Sequence, residues 1–517
     1  MYPRTPELNP DVPVIVCAPV APTERGRVTK TVDQDRNRAA KPEVAAARPM
    51  LIIGVMVVTA FVMILNETIV SIALPDLATT MGVTASTVQW LVSGFLITMA
   101  VVIPTTGFLL ERFRARPIYL FAVGSFAVGT VLAALAVSFP TLLVGRIVQA
   151  CGTAVMIPLV MTTVMRLVPA NRRGAMMGTI SIVIGVAPAI GPTVGGAILA
   201  GLGWRWMFWL VLILALAMLV IALVWLRVPS EIKRVPLDIV SVVLSAIGFA
   251  GLVYGLSSFG QPGGPLPPWL TVSVGVIALV LFVWRQRRLE RSDKPLLDLR
   301  TLNHGRYRMA LILSVLVFLA LLGAGAVLLP MYLQNVLGYD TLQAGLALLP
   351  GGLVMAAISR PVGSLYDRVG AKALLVPGAV GMAAALFLFA LLGSAAPLIA
   401  VIGCDVLLMF SLGTMMTPLM TDALGALPGD LYSHGSALMT TLQQVGGALG
   451  SAVFVAVASL ASVHPSGLPD AAGIRLAFMV AGCVGLAAVV VSLFYTRGKP
   501  DPVIEPTTTG AVPVLDA

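Results

Sequence analysis

The segment GFLLERFRARP at residues 107–117 returns in altered form as GSLYDRVGAKA at residues 363–373. One constant offset of 256 residues aligns the glycine, acidic and arginine positions of the two copies: Gly107 with Gly363, Glu111 with Asp367, and Arg112 with Arg368. Self-similarity at a fixed spacing indicates that related structural units build the chain. The sequence therefore predicts two homologous halves.

Composition places both halves in a membrane. The 517 residues are 58% hydrophobic and only 11% charged, whereas soluble domains contain roughly 25% charged residues. Fourteen apolar segments approach the roughly 20 residues that a helix needs to cross a bilayer. They lie near residues 50–74, 87–109, 117–138, 141–165, 175–201, 206–226, 237–259, 269–284, 309–330, 343–359, 373–394, 397–419, 435–460 and 476–496. We therefore predict an all-α membrane protein with fourteen spans.

The spans fall into groups of six, two and six. Residues 50–228 form a predicted amino-terminal six-helix bundle, and residues 306–497 a carboxy-terminal one. Between them, residues 229–305 hold two inserted central helices, joined through a loop at 260–268, and a cytoplasmic loop. The composition of the ends predicts disordered cytoplasmic tails at residues 1–49 and 498–517.

The basic residues predict the orientation. If the amino terminus is cytoplasmic, 30 of the 33 Lys and Arg residues fall in the tails and cytoplasmic loops. Arg205 and Arg475 fall outside, and Arg146 lies within a span. This asymmetry follows the positive-inside rule and predicts a multi-pass protein of the cell membrane with both termini in the cytoplasm. It also explains the net charge of +10 without a nucleic-acid partner.

No signature of an enzyme or metal site accompanies the spans. The four Cys and three His residues are scattered, so they indicate neither a disulfide framework nor a metal cluster. The sequence contains no Walker loop and no His-based catalytic triad. We expect neither an enzyme nor an ATP-driven pump, and no cofactor.

The repeated segment resembles the signature of the major facilitator superfamily. Residues 363–372 match Gly-x-Leu-x-Asp-Arg-x-Gly-x-Lys, whereas the first copy has Glu111 in place of Asp and Arg114 in place of the second Gly. The resemblance implies the major facilitator fold, here with two additional central helices, in which two six-helix bundles rock about a central site.

The charged positions of the two copies suggest a cytoplasmic latch. A carboxylate beside an arginine at the helix ends can form charge-assisted hydrogen bonds that hold the bundles together in one state. The alternative is a set of solvated charges that only fix topology. The residues of the predicted latch are Gly107, Glu111, Arg112, Gly363, Asp367 and Arg368.

A second resemblance lies in the fifth span, GVAPAIGPTVGGAI at residues 185–198. Gly191, Pro192, Gly195 and Gly196 resemble the signature of proton-coupled antiporters in this superfamily. Ala187 lies one helical turn before Gly191, so small residues recur every four positions and allow another backbone to approach closely. Any pair of helices could use such a stripe, which is the alternative interpretation.

The first span contains LNETIVSIALP at residues 65–75, which resembles the signature of fourteen-span drug:proton antiporters of the EmrB/QacA type. Asn66 stands where the acid is usual, and the carboxylate is at Glu67, about 100 degrees round the helix. A carboxylate inside a membrane pairs or titrates. Glu67 is therefore a predicted proton-coupling residue, with a permanently neutral or hydrogen-bonded Glu as the alternative.

Within the fourth span, residues 142–159 read LLVGRIVQACGTAVMIPL and place Arg146, Gln149 and Gly152 in a pattern similar to Arg-x-x-Gln-Gly-x-Gly of the family, which implies a role for Arg146 in proton transfer. An arginine that only braces helices is the alternative. Asp405, at a similar depth, completes the predicted coupling set, although no signature covers it and a structural role is the alternative. Polar side chains that either line the pathway or bond between helices are Asn66, Gln149, Gln334, Gln443 and Gln444.

These features favour a proton-driven exporter of lipophilic or amphipathic drug-like molecules that works by alternating access as a monomer. Its partners would be the small-molecule substrate, protons and the lipid bilayer. A proton-coupled symporter or facilitator importing a polar solute is the alternative, and a non-transporting sensor or scaffold is the third class.

Overall fold

The computed structural model describes residues 49–226, 238–257, 267–290, 295–460 and 470–495. The predicted disordered tails lie outside these residues except for Pro49, which begins a helix, and most of the loop at 260–268 also lies outside them. Within the described ranges the regular structure is helical throughout.

Fourteen long helices make up most of the described part of the chain. In chain order they are α1 (Pro49–Ile72), α2 (Trp90–Arg112), α3 (Ala115–Ala134), α4 (Phe139–Leu167), α5 (Arg173–Leu202), α6 (Trp204–Trp225), α7 (Ile239–Ser257), α8 (Pro268–Leu289), α9 (Gly305–Val336), α10 (Thr341–Val369), α11 (Lys372–Leu391), α12 (Leu398–Gly425), α13 (Tyr432–Leu460) and α14 (Ala471–Leu493). Among the described residues, thirteen of these helices are long and apolar enough to cross a membrane. Helix α5 contains several positions whose side chains lie outside the described set. The prediction of an all-α membrane protein is confirmed.

The repeat extends well beyond the two segments in which it is visible. A shift of 256 residues carries α3 from 115–134 to 371–390, one residue from α11, and carries α4 onto α12 and α5 onto α13 within a few residues. The same shift places the start of α1 at the start of α9, Gly305. Helices α1 to α6 therefore correspond in order to α9 to α14, although the shifted α6, at 460–481, begins 11 residues before α14. Helices α7 and α8 have no counterpart in this correspondence.

The repeated segments are mainly helical ends rather than loops, which corrects the predicted span boundaries. Helix α2 continues to Arg112, and α10 continues to Val369, ten residues beyond the predicted end at residue 359. An arginine in the last turn complements the negative end of the helix dipole, so these charges do not interrupt the helix. Gly370, with a φ of 80°, ends α10.

Helices α7 and α8 form a tightly packed hairpin. A Cβ atom on Gly251 would lie 3.0 Å from the Thr271 carbonyl oxygen, and one on Gly275 would lie 2.7 Å from the Leu252 nitrogen. Only glycine permits backbones to approach this closely. The outer surface of α8 is strongly apolar, with Ile277 60% exposed, as expected of a helix that faces lipid.

A polar clamp closes the base of this hairpin. Arg285 donates two hydrogen bonds to the Asp238 carboxylate, at 2.7 and 2.8 Å. Beside it, the buried Gln286 side chain donates to Ser241 at 2.7 Å and accepts from the Leu296 amide at 2.9 Å. The clamp thus joins α7 and α8 to the segment that leads into α9.

Loss of the Asp238 charge is expected to loosen the clamp. The bidentate hydrogen bonds from Arg285 hold the pKa of Asp238 at about 2, below its usual value of about 3.9. Because the pKa is lowered in the folded state, the stabilisation is complete above about pH 4 and is lost as the pH falls toward 2. Asp238→Asn should cost about 1–2 kcal/mol and raise hydrogen exchange at the Leu296 amide by roughly 5- to 30-fold. Unchanged exchange in this variant would contradict the clamp, and Arg285→Lys should give an intermediate rate.

Candidate functional site

The close contact of α1 with α5 frames the predicted coupling acid. The Thr68 hydroxyl donates to the Ala187 carbonyl oxygen at 3.3 Å, and a Cβ atom on Gly191 would overlap the Thr68 side chain. A Cβ on Gly195 would lie 3.3 Å from Ile69. The small-residue stripe of α5 therefore faces α1 next to Glu67. Gly196 faces open space instead, and Pro192 lies within α5 with its side chain outside the described set.

Positions 66 and 67 have different environments on α1. Asn66 is fully buried, and both polar atoms of its amide lack a hydrogen-bond partner in the described structure. The Glu67 side chain is only half-buried. An ionised carboxylate is far more costly to bury than an amide, and the shift of the acid by one residue places it at the less buried of the two positions.

Arg146 lies inside the amino-terminal bundle with 1% of its surface exposed. Its guanidinium donates to the Gln149 side-chain oxygen at 3.1 Å and to the Leu91 carbonyl at 3.3 Å, and it stacks 4.2 Å from the centre of the Phe95 ring. Glu67 is close enough to interact with it electrostatically. The arginine is thus held by neutral groups, and Glu67 is the acidic residue near it.

Asp405 occupies a separate site in the carboxy-terminal bundle. It is 1% exposed, and neither carboxylate oxygen has a hydrogen-bond partner among the described residues. Helix α10 approaches it so closely that a Cβ atom on Gly351 would overlap the carboxylate. The side chain therefore packs between α12 and α10, within its own bundle. A buried carboxylate without a partner is costly when ionised, so this site suits a protonated acid.

Some of the polar candidates form hydrogen bonds between helices, and others lie at less buried positions. Gln149 donates to Thr130 at 2.8 Å, and the buried Gln443 donates to Ser314 at 2.7 Å, so both connect helices. Gln334 is exposed near the end of α9, and Gln444 is half-buried. For Gln149 and Gln443 the structure thus favours the bonding alternative.

One half of the predicted latch joins α2 to α13. The Glu111 carboxylate lies 3.2 Å from Nε2 of His434, which is 3% exposed. A Cβ atom on Gly107 would lie 2.8 Å from Nδ1 of the same histidine. The first repeat therefore contacts the opposite bundle through its acid and its glycine.

The second repeat makes the equivalent contact between α10 and α5. The Asp367 carboxylate accepts hydrogen bonds from the backbone amides of Gly174 and Ala175, at 2.9 and 3.1 Å. These amides belong to the first turn of α5, where the positive end of the helix dipole favours an anion. A Cβ atom on Gly363 would overlap the Gly174 backbone. The bundles thus touch backbone to backbone at this junction.

The arginines of the repeats occupy a different setting from the acids. Arg112 is half-buried, and Arg368 is exposed at the end of α10. The contacts across the junctions instead use a histidine and a helix amino terminus, which sequence analysis did not identify. The single histidine of HGSALM at residue 434 was the available signal, but its partner became evident only from the packing.

Further contacts between the bundles lie at the same end. The Thr162 and Ser436 hydroxyls are 3.0 Å apart, and Thr417 donates to Ser181 at 2.9 Å. Each of these residues lies within ten positions of the helix end that carries the repeats or their partners. The described conformation is therefore closed at the end where the repeated segments lie.

A buried acid that the sequence analysis placed outside the spans braces the carboxy-terminal bundle. Asp422, on the last turns of α12, accepts from Arg306 at 2.5 Å, from Tyr366 at 3.1 Å and from Tyr495 at 2.5 Å. These groups come from α9, α10 and the end of α14. The predicted span ended at residue 419, three residues before Asp422, whereas α12 extends to Gly425.

Comparisons with known proteins place the chain in a transporter family. Residues 56–451 match the family model described as Major Facilitator Superfamily. Lincomycin resistance protein LmrB of Listeria monocytogenes is 37% identical over 467 residues, covering 87% of this chain and 98% of the relative. LmrB of Bacillus subtilis is 36% identical over 461 residues, covering 86% and 95%. A multidrug resistance protein B homolog of Mycobacterium tuberculosis is 29% identical over 408 residues, covering 77% and 74%.

Solved structures show the same architecture. The human organic anion transporter MFSD10 superposes with a TM-score of 0.62 at 16% identity, covering 86% of this chain and 99% of that one. The proton:xylose symporter XylE gives 0.60 at 17% identity, covering 87% and 96%. At these identities the likeness shows the fold alone. With the family match over most of the chain, the conclusion is that this protein belongs to the major facilitator superfamily of membrane transporters.

Proposed function

We propose that the protein is a proton-coupled antiporter that exports lipophilic or amphipathic drug-like molecules across the cell membrane by alternating access. The observation that carries this proposal is the set of intramembrane charges at Glu67 and Arg146, next to the close α1–α5 contact. The names of the relatives, lincomycin resistance and multidrug resistance, support the export of drug-like compounds.

The proposed coupling step is a change of charge at Glu67. When the carboxylate is ionised, it attracts the Arg146 guanidinium across a medium of low dielectric constant. When it binds a proton, that attraction is lost, and α1 can move relative to α4. The bonds of Arg146 to Gln149 and Leu91 do not involve the Glu67 carboxylate. Proton binding would thus change how two helices of one bundle interact, which is what coupling to a conformational change requires.

Asp405 is a second proposed proton site. Its carboxylate is buried and unpartnered among the described residues, so the protonated form suits the conformation described. Ionisation would require access to water or a cation, and only a movement of α12 relative to α10 can supply it. In this proposal the energy comes from the proton gradient, and the transporter works as a monomer without a cofactor.

Energy coupling can be measured directly in cells loaded with a fluorescent lipophilic substrate. Because protons are the proposed driving ion, efflux should collapse to the rate of cells that lack the protein when a protonophore is added. It should persist when ATP is depleted and the proton gradient is held by respiration. Efflux that survives the protonophore but stops when ATP is depleted would overturn the proposal. Efflux driven by a sodium gradient alone would show that sodium, and not the proton, is the coupling ion.

The orientation proposed from the charges can be tested at two exposed positions. Arg114 lies in the turn between α2 and α3, and Ser394 lies between α11 and α12, at the opposite end of the helices. Because the repeats are proposed to face the cytoplasm, Arg114→Cys should react with an impermeant maleimide only after permeabilisation. Ser394→Cys should react in intact cells. Reaction of Arg114→Cys from outside would invert the proposed topology.

A further inference from the structure

The inserted hairpin breaks the symmetry between the two halves. The offset of 256 residues relates the α2–α13 junction to the α10–α5 junction. A third helix packs against each junction. Helix α4 contacts both α2 and α13, and helix α12 contacts both α10 and α5. Helix α7 adds a fourth helix to the first junction, where it packs on both α2 and α13. Among the described residues, the second junction receives no comparable cover.

The contacts of α7 lie toward the end opposite the latch. Phe249 and Val253 of α7 form an apolar cluster with Ala100 of α2, against which Val445 and Ala448 of α13 pack. The direct contact between α2 and α13, at Gly107 and His434, lies at the end of the junction that carries the latch. Helix α7 therefore bridges the two bundles in the part of the junction that lies away from the latch.

A stacked aromatic pair strengthens this bridge. Trp90, the first residue of α2, stacks on Tyr254 of α7 with the ring centres 5.6 Å apart. The polar clamp at Asp238 fixes the other end of α7 to α8 and the segment before α9. Helix α7 is thus held at both ends, and the residues between them pack against the α2–α13 junction.

Burial at equivalent positions shows what this cover does. Ala100 on α2 is 1% exposed, whereas its counterpart Ala356 on α10 is half-buried. Ile97 is half-buried against the α7 cluster, whereas its counterpart Leu353 is 48% exposed. The same face of the repeat is therefore covered in one half and open to the membrane in the other.

We propose that α7 is a lateral seal, which closes the α2–α13 junction to lipid and leaves the α5–α10 junction as the membrane-facing route for amphipathic substrates. The route rests on the proposed export function, whereas the seal itself does not. A lipophilic molecule dissolved in the bilayer would meet apolar side chains such as Leu353 at the open junction. At the sealed junction it would meet the outer surface of the hairpin.

The seal is tested by oxygen accessibility of nitroxide spin labels in liposomes. Single cysteines replace Ile97 or Leu353 in a chain whose four native cysteines are substituted. The label at 353 should exceed the label at 97 by about twofold or more, because a side chain covered by a packed helix leaves little free volume for oxygen. In the double variant Phe249→Ala, Val253→Ala, accessibility should rise at 97 and stay constant at 353. Equal values at 97 and 353 in the intact hairpin would overturn the seal.

The route is tested by obstruction. Leu353→Trp should lower the efflux rate of a lipophilic dye by about fivefold, since extra bulk at the open junction narrows the passage. Val380→Trp, an equally lipid-exposed substitution on α11, is the matched control and should leave the rate unchanged. Normal efflux by Leu353→Trp would overturn the proposed route. The seal would then be judged by the spin-label experiment alone. Absence of energised efflux in the unmodified protein would instead refute the proposed function, and the accessibility result would stand.

Discussion

Glu67→Gln is expected to abolish proton-driven efflux while leaving the protein folded and able to bind substrate. Glutamine keeps the shape and hydrogen-bonding capacity of the side chain but cannot ionise, so the attraction to Arg146 no longer depends on a proton. Because coupling requires the two protonation states to differ in energy, efflux against a substrate gradient should fall by about tenfold or more. The measurement is efflux from proteoliposomes with an imposed pH gradient.

Two measurements separate loss of coupling from loss of structure. Exchange of labelled for unlabelled substrate across the membrane needs no proton gradient, so Glu67→Gln should retain it. Glu67→Asp preserves a titratable group and should retain part of the driven efflux. Unimpaired driven efflux by Glu67→Gln would assign Glu67 a structural role and make Asp405 the next acid to test.

The one-residue displacement of the acid can be examined with a compensating variant. Asn66→Asp combined with Glu67→Gln returns the carboxylate to the position that is usual in the resembled antiporters. Asn66 is fully buried and its amide is unpartnered in the described structure, whereas Glu67 is half-buried. An acid at 66 would therefore ionise at a higher desolvation cost. We expect no recovery of transport, and full recovery would show that the displacement has no mechanistic consequence.

Most of the fold follows from the sequence because a bilayer imposes simple requirements. Apolar segments of sufficient length predicted all fourteen long helices, and most of their ends lie within about four residues of the predicted positions. The largest error was at α10, whose predicted span ended at residue 359, before the repeated segment that carries Asp367 and Arg368. The helix continues because Arg368 complements the dipole and Asp367 bonds to a different helix.

The contacts between bundles could not be predicted in the same way. The repeat identified Glu111 and Asp367, but their partners are His434 and the first amides of α5, which lie far away in sequence. Such partners depend on how two rigid bundles meet, and no local pattern encodes that arrangement. The separation of Asp405 from Glu67 has the same origin, since equal depth in the membrane does not imply the same cavity.

Helices α5 and α10 approach each other closely at Gly174, so a larger side chain at this position is expected to have a large effect on transport. A Cβ atom on Gly174 would overlap the Gly363 carbonyl oxygen, and it would also lie 2.5 Å from the Asp367 carboxylate oxygen that its own amide binds. Gly174→Val should therefore oppose the closed state at the latch without disturbing either bundle. Overpacking of this kind costs about 1–3 kcal/mol, which corresponds to a shift of roughly 5- to 150-fold in a two-state equilibrium.

We expect Gly174→Val to reduce efflux by about tenfold or more, because a transporter that cannot close one end cannot complete alternating access. A disulfide between Ser181→Cys and Thr417→Cys reports the closed state, since the native hydroxyls of α5 and α12 lie 2.9 Å apart between the two bundles. Its yield should fall in the Gly174→Val background. Gly201→Val, at a position on α5 where an added Cβ meets nothing within 4 Å, is the matched control and should preserve both efflux and cross-linking. Normal efflux with an undiminished disulfide in Gly174→Val would show that the backbone contact at this junction does not control closure.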